Sequence, residues 1–226
     1  MSYRSFDLDR SIAKKQIVAV TGLLLIFFII AHLAGNLLIF GGPQALNGYT
    51  QKLASFGLLK SVAEWGLFFI FGIHVLLTAS LVLENIQAKG GISRYSIDNS
   101  KGPRWWETRL MPYSGTYLLI YLIWHLIDFS WANQHGIRSI IHGVSYGLYG
   151  VAVNSFKDPL HSWLYVVAMF FLGLHLAHGF ESFIQTFGFN DRRFAPGLKK
   201  FSRWFALSMT LAYSSIPLYV LYILKI

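Results

Sequence analysis

Apolar residues dominate five stretches of the chain, about 16–40, 61–86, 113–131, 161–187 and 203–224. A run of roughly 20 apolar residues carries an α-helix across the ~30 Å hydrocarbon layer of a bilayer. Between the runs the pattern changes. The segments "GGPQALNGYT", "AKGGISRYSIDNSKGPRWWETR", "ANQHGIRSIIHGVSYGLYGVAVNSFKDP" and "NDRRFAPGLKKFSR" gather glycine, proline and charge. Pro43, Pro103, Pro159 and Pro196 fall in these connections, where a missing backbone donor does least harm. The pattern predicts an all-α fold, a single transmembrane domain over residues 1–226 built as an integral membrane bundle of five transmembrane helices.

Composition agrees. Of 226 residues, 54% are hydrophobic and only 13% charged, about half the charged share of a soluble domain. The net charge of +9 would suit a nucleic-acid binder, but the basic residues alternate from one connection to the next. The N-terminal segment (Arg4, Arg10, Lys14, Lys15), the second connection (Lys89, Arg94, Lys101, Arg104, Arg109) and the fourth (Arg192, Arg193, Lys199, Lys200, Arg203) hold fourteen, against five elsewhere. This positive-inside asymmetry puts the N-terminus in the cytoplasm and the C-terminus outside. The charge is topological, and nucleic acid is not an expected partner. Lys14 and Lys15 precede the first run as they would in a signal peptide, but the run is too long and no small-residue cleavage site follows. It reads as a retained helix. With no cysteine in the chain, disulfides and thiolate-held metal or iron–sulfur sites are excluded, so a metal would be held by His or carboxylate.

Ionisable residues inside spans are uncommon and usually functional. His32 lies in the first span, His74 in the second, His125 in the third, and His175 and His178 in the fourth. At 1.5 Å per residue, His32 and His125 sit about 12 and about 9 Å below the outer face, while His74 and His175 sit about 20 Å from the outside and about 18 Å from the inside. The histidines therefore sort into two levels, one outer and one central. Two imidazoles facing each other across a bundle form an axial-ligand arrangement for haem iron. Gly35, Gly72, Gly115, Gly173 and Gly179 lie near these residues and would let a flat macrocycle approach the backbone. His178 is one turn from His175 and reads as a packing or supporting residue. His135, His142 and His161 read as surface residues of the outer connection.

The stretches "SIAKKQIVAVTG…AHLAGNLLIFGGPQALNGY", "RWWETRLMPYSG…WHLIDF" and "DPLHSWLYVVAMFFLGLHLAHGFESFIQTFG" resemble the cytochrome b558 membrane-anchor subunit of succinate dehydrogenase and fumarate reductase. The likeness covers nearly the whole chain and includes the five-span plan. It implies two haem b groups, with His32 and His125 ligating the distal iron and His74 and His175 the proximal one. In that family the fourth-helix ligand precedes an aromatic–Gly pair by twelve residues, and Phe187-Gly188 puts it at His175. The resemblance further implies a flavoprotein subunit and an iron–sulfur subunit docked on the cytoplasmic side, against connections containing Arg104, Trp105, Trp106 and Arg192. It implies a quinone as redox partner (menaquinone by family habit), and a bacterial cytoplasmic (inner) membrane as the location. A dimer of heterotrimers is compatible with it. The chain itself carries no dinucleotide fingerprint and no soluble domain, so succinate chemistry would belong to the partners.

Quinone chemistry moves protons as well as electrons, so an acid or imidazole is expected near the electron-transfer site. Glu64 and Asp128, both toward the outer face, are the candidates for a distal quinone site. Asp128 also reads as a hydrogen-bond partner for a histidine or a helix end, and Glu64 as an interfacial residue in contact with water. Asp158 stands just before the fourth span, and Glu84 and Glu181 lie toward the cytoplasmic half. Lys14, Lys15, Gln16, Arg104, Trp105 and Trp106 are placed to neutralise or hydrogen-bond anionic haem propionates. Some dihaem members of the family carry a glutamate two residues before the fourth-helix ligand for transmembrane proton movement. This chain has Gly173 there, so electron transfer without that compensating path would be electrogenic. The competing readings are a cytochrome b subunit of a hydrogenase or formate dehydrogenase, and a transporter using intramembrane histidines.

Overall fold

The computed structural model describes residues 3–88, 106–188 and 195–225, with side chains from residues 11 and 110 onward in the first two segments. Seven helices occur among them. They are α1 (Tyr3–Asn36), α2 (Gly42–Ser55), α3 (Leu58–Ala88), α4 (Trp106–His125), α5 (Gly147–Phe156), α6 (Pro159–Thr186) and α7 (Ala195–Tyr222). Five of these, α1, α3, α4, α6 and α7, are long and apolar enough to cross a membrane. The chain is an all-α, five-helix bundle of multi-pass membrane type.

The helix ends follow local chemistry. At the end of α1, the Asn36 amide donates to the His32 carbonyl at 2.7 Å. A short 3-10 turn over Leu37–Gly41 follows. Gly42 then takes φ +81°, a left-handed backbone that glycine adopts without steric cost, and Pro43 starts α2. The ring of Tyr49 on α2 lies so close to Gly35 that a side chain there would strike it. Thus α2 turns back against the end of α1. At the start of α6, Asp158 is a helix cap: its carboxylate accepts from the Leu160 N–H at 3.0 Å, and Pro159 occupies the first helical position.

The first and third connections are more ordered than their glycine and proline suggest. The first is α2. The third contains an antiparallel hairpin of β1 (Ile140–Ile141) and β2 (Val144–Ser145), with Ile140 opposite Ser145 and Ile141 opposite Val144. Its turn places His142 at φ 49° and Gly143 at φ 81°. α5 follows directly. Asn47 of α2 binds the start of α5 twice: its Nδ2 donates to the Tyr146 carbonyl at 2.7 Å and its Oδ1 accepts from the Tyr149 N–H at 3.1 Å. Gly150 packs so tightly on the Ser139 carbonyl that no Cβ fits between them. Together α2, the hairpin and α5 cap one end of the bundle over a core of Ile39, Leu46, Tyr149, Val153, Phe156, Tyr165, Ile216 and Val220. Enclosing a side chain the size of Val153 contributes about 2 kcal/mol relative to leaving it in water.

A second core joins α1, α6 and α7 through Ile26, Leu33, Leu176, Ala206 and Met209. α6 and α7 approach tightly at Gly173, which abuts the Thr210 hydroxyl and the Ala206 carbonyl. The Ser202 hydroxyl donates to the Ala177 carbonyl across the same seam. Small residues that bring helix backbones together are the usual means of association in a bilayer. α4 lies on α6, and α3 lies on α1. α3 has no buried residue; it presents Leu58, Trp65, Phe68, Phe69 and Leu76 outward, a face suited to acyl chains.

Candidate paired-histidine site

His74 projects from α3 against α1, and His175 from α6 against α4. The two are seated in the same way. His74 Nδ1 lies 3.1 Å from the Thr21 hydroxyl, and the adjoining Gly22 leaves room for the ring, since a Cβ there would come within 3.2 Å of His74 Cε1. His175 Nδ1 lies 3.2 Å from the Ser114 hydroxyl, and a Cβ on the adjoining Gly115 would come within 3.4 Å of His175 Cε1. Each imidazole thus rests in a notch made by a hydroxyl residue followed by glycine. His74 and His178 both lie within electrostatic range of His175.

His32 of α1 and His125 of α4 face each other directly. Their ring centres are 5.8 Å apart with planes at 88°. Phe28 stacks on His32 at 5.3 Å and Tyr121 on His125 at 5.8 Å. Tyr213 lies 6.4 Å from His32, its hydroxyl committed to the Ile29 carbonyl at 2.7 Å. The Nδ1 of His125 is buried without a hydrogen-bond partner, a costly state for a polar atom.

A metal ion gripped by two imidazoles at about 2 Å from each nitrogen holds their ring centres about 6 Å apart, close to the separation seen here. A bare ion, however, needs about four ligands. Among the described residues no three His, Asp or Glu side chains converge in a metal-binding group. An opposed pair of imidazoles in an apolar, aromatic setting, such as His32 and His125, suits a metal that brings its remaining ligands on a planar macrocycle.

Beyond His125, α4 continues as a π-helical turn over Leu126–Ser130, an element frequent at functional sites. The turn directs Asp128 inward, where its side chain is only 9% exposed. Asp128 Oδ2 accepts from the Tyr165 hydroxyl at 2.7 Å and lies 3.1 Å from His161 Nε2. That second contact is out of line for a hydrogen bond. Asp128 Oδ1 faces Arg138 Nη2 at 3.3 Å, and the same guanidinium nitrogen donates to the Ser155 hydroxyl at 2.6 Å. His161 stacks on Tyr165 at 4.9 Å and meets Trp124 edge-on at 5.2 Å. Tyr165 in turn reaches the His125 ring at 6.2 Å.

The expectation that His161 is a surface residue is corrected: its side chain is 16% exposed and enclosed by Trp124, Phe156 and Tyr165. The cap folding back over α6 covers it. His135 and His142 are exposed. Glu64 is not gathered with Asp128. It stands 59% exposed on α3 and pairs with Lys60 one turn away at 2.6 Å. Lys14 forms an ion pair with Glu84 across α1 and α3 and donates to the Ser80 hydroxyl at 2.9 Å. Lys15 and Gln16 point outward and are exposed. Glu181 pairs with Lys199 at 3.8 Å. Arg104, Trp105 and Arg192 lie outside the described residues, as does the side chain of Trp106. Sequence reasoning passed over Thr21, Ser114, Tyr165 and Arg138. The T-G and S-G pairs at 21–22 and 114–115 carry a local signal, whereas Tyr165 and Arg138 meet Asp128 only through tertiary packing.

No protein-family model matches the chain, and no curated protein or solved structure matches it.

Proposed function

We propose that the chain is the dihaem cytochrome b membrane anchor of a succinate:quinone oxidoreductase, passing electrons between an iron–sulfur subunit and a membrane quinone, menaquinone by family habit. The observation that carries this reading is the opposition of His32 and His125, from two different helices, at 5.8 Å, with His74 and His175 each seated against a hydroxyl residue of a neighbouring helix. The resemblance of "HLAGN", "HLIDF" and "HLAHGFESFIQTFG" to the succinate dehydrogenase and fumarate reductase anchor selects this reading over other membrane cytochromes. A transporter would be served by convergent carboxylates and imidazoles, and no such group of three occurs among the described residues.

Haem b, when bound, supplies one-electron redox chemistry at iron. The chain's own residues do the rest. His32 with His125, and His74 with His175, would hold the two groups. Gly22 and Gly115 leave space beside the second pair. Phe28, Tyr121 and Tyr213 keep water from the first pair.

Asp128 is the acid of this reading that stands beside the quinone. Its carboxylate accepts from Tyr165 and faces both Arg138 and His161, so a proton released by a quinol has an acceptor with an imidazole next to it. Glu64, exposed and paired with Lys60, is the weaker of the two expected acids. The docked flavoprotein and iron–sulfur subunits lie on the side of the basic connections.

The test is a complex purified from membranes through a tag on this chain, followed by absorption spectroscopy. Addition of succinate is expected to reduce b-type bands, and a menaquinol analogue to do the same. Bands reduced by hydrogen or formate but not by succinate would assign the chain to the rival complexes, and no b-type bands at all would remove the reading.

A further inference from the structure

We infer that Thr21 and Ser114 are positioning residues for His74 and His175, fixing each imidazole with its proton on Nδ1 and its bare Nε2 toward the metal. This inference rests on the haem reading above and extends it to residues that touch neither the group nor the substrate.

A serine or threonine hydroxyl has a single proton. Thr21 Oγ1 gives its proton to the backbone, with the Ile17 carbonyl at 2.8 Å and the Val18 carbonyl at 3.1 Å. Ser114 Oγ gives its proton to the Met111 carbonyl at 3.1 Å. With that proton on a backbone carbonyl, each oxygen is left as an acceptor toward the imidazole, the arrangement in which His74 Nδ1 and His175 Nδ1 donate to it; the Val18 carbonyl is a further hydrogen-bond partner of His74. A neutral imidazole has one N–H, so the other nitrogen, Nε2, keeps its lone pair free for a metal. Ser114 is buried at 1% exposure and Thr21 at 7%, so water does not compete for these bonds. The glycine after each hydroxyl residue serves the same end, because a side chain at 22 or 115 would press on Cε1 of the ring and lift Nδ1 from its acceptor.

The device appears twice, on two different helices, and both copies serve the same histidine pair. His125 of the other pair has a buried Nδ1 with no partner. The two metal sites therefore differ in ligand basicity. A ligand imidazole that donates its second N–H is more electron-rich and favours the oxidised metal. Losing the hydroxyl should raise the midpoint potential of one centre and leave the other unmoved.

The experiment uses the full chain in its native complex. Thr21→Val, which keeps shape and removes the acceptor, is compared with Thr21→Ser, which keeps the acceptor, and with Ser114→Ala. Haem per protein, redox titration of each centre and the low-spin ferric EPR signal are read for all three and for the natural protein. The inference expects Thr21→Val and Ser114→Ala to shift the same centre upward and to alter its EPR signal, with Thr21→Ser at the natural values. Loss of that one haem in Thr21→Val with retention in Thr21→Ser also supports it. Two retained haems with unmoved potentials in Thr21→Val and Ser114→Ala overturn it while leaving the haem reading intact. So does equal movement of both centres, or equal damage by Thr21→Ser. A natural protein without haem overturns the reading and this inference together.

Discussion

Asp128 is the residue on which the proposed proton chemistry turns. Its carboxylate is buried among Tyr165, His161 and Arg138. Asp128→Asn keeps a hydrogen-bond acceptor but removes the basic group. The expected outcome is two haems retained and quinol turnover lowered about 10²-fold, the lower end of what a positioned acid–base group contributes. Unchanged turnover would remove Asp128 from the site. Glu64→Gln, at an exposed position whose ion pair with Lys60 is worth little, should leave turnover and haem content as they are; a large loss would restore Glu64 as a site residue. The contrast shows what can be read from a sequence at this scale. Position within a span marks Glu64 and Asp128 alike, but burial and partners separate them. His161 illustrates the same point: it begins the fourth span and reads as surface, yet the aromatic wall of Trp124, Phe156 and Tyr165 encloses it. That wall comes from three separate elements, and no local pattern contains it.

At the scale of elements, the five long helices were legible because each carries an apolar run long enough to span a bilayer. The cap was not. α2 contains Pro43 and Gly48, and α5 has only ten residues and begins at Gly147 with φ 58°, so both read as loops. Their helices are held by tertiary contacts, above all the two bonds from Asn47 to the start of α5. Asn47→Ala should lower stability by about 1 kcal/mol, the lower end of the cost of leaving such partly buried groups unpaired. A lower thermal midpoint for the detergent-solubilised protein would register it, and an unchanged midpoint would show that Asn47 does not hold the cap. Gly150→Ala should be more damaging, because the added Cβ would strike the Ser139 carbonyl, a backbone atom with little freedom to move. Expression of well-folded Gly150→Ala protein at the natural level would contradict this packing.

At the scale of the whole molecule, the distribution of charge and the interior of the bundle bear on one question, whether turnover moves charge across the membrane. Gly173 stands where a proton-carrying glutamate is expected in some relatives of the resembling family. It abuts Thr210 and the Ala206 carbonyl on α7, so the seam between α6 and α7 has no room for a carboxylate at that position. Proteoliposomes turning over with quinone are therefore expected to build a membrane potential, and electroneutral turnover would contradict the inference. All of this presupposes that paired imidazoles on α1 and α4, and on α3 and α6, hold two haems. The most direct test is the haem-to-protein ratio with redox titration, in the natural protein and in His32→Ala and His74→Ala. The account predicts two haems in the first and one in each variant, with a different midpoint potential lost each time. A protein with no haem, or variants that both keep two, would contradict it.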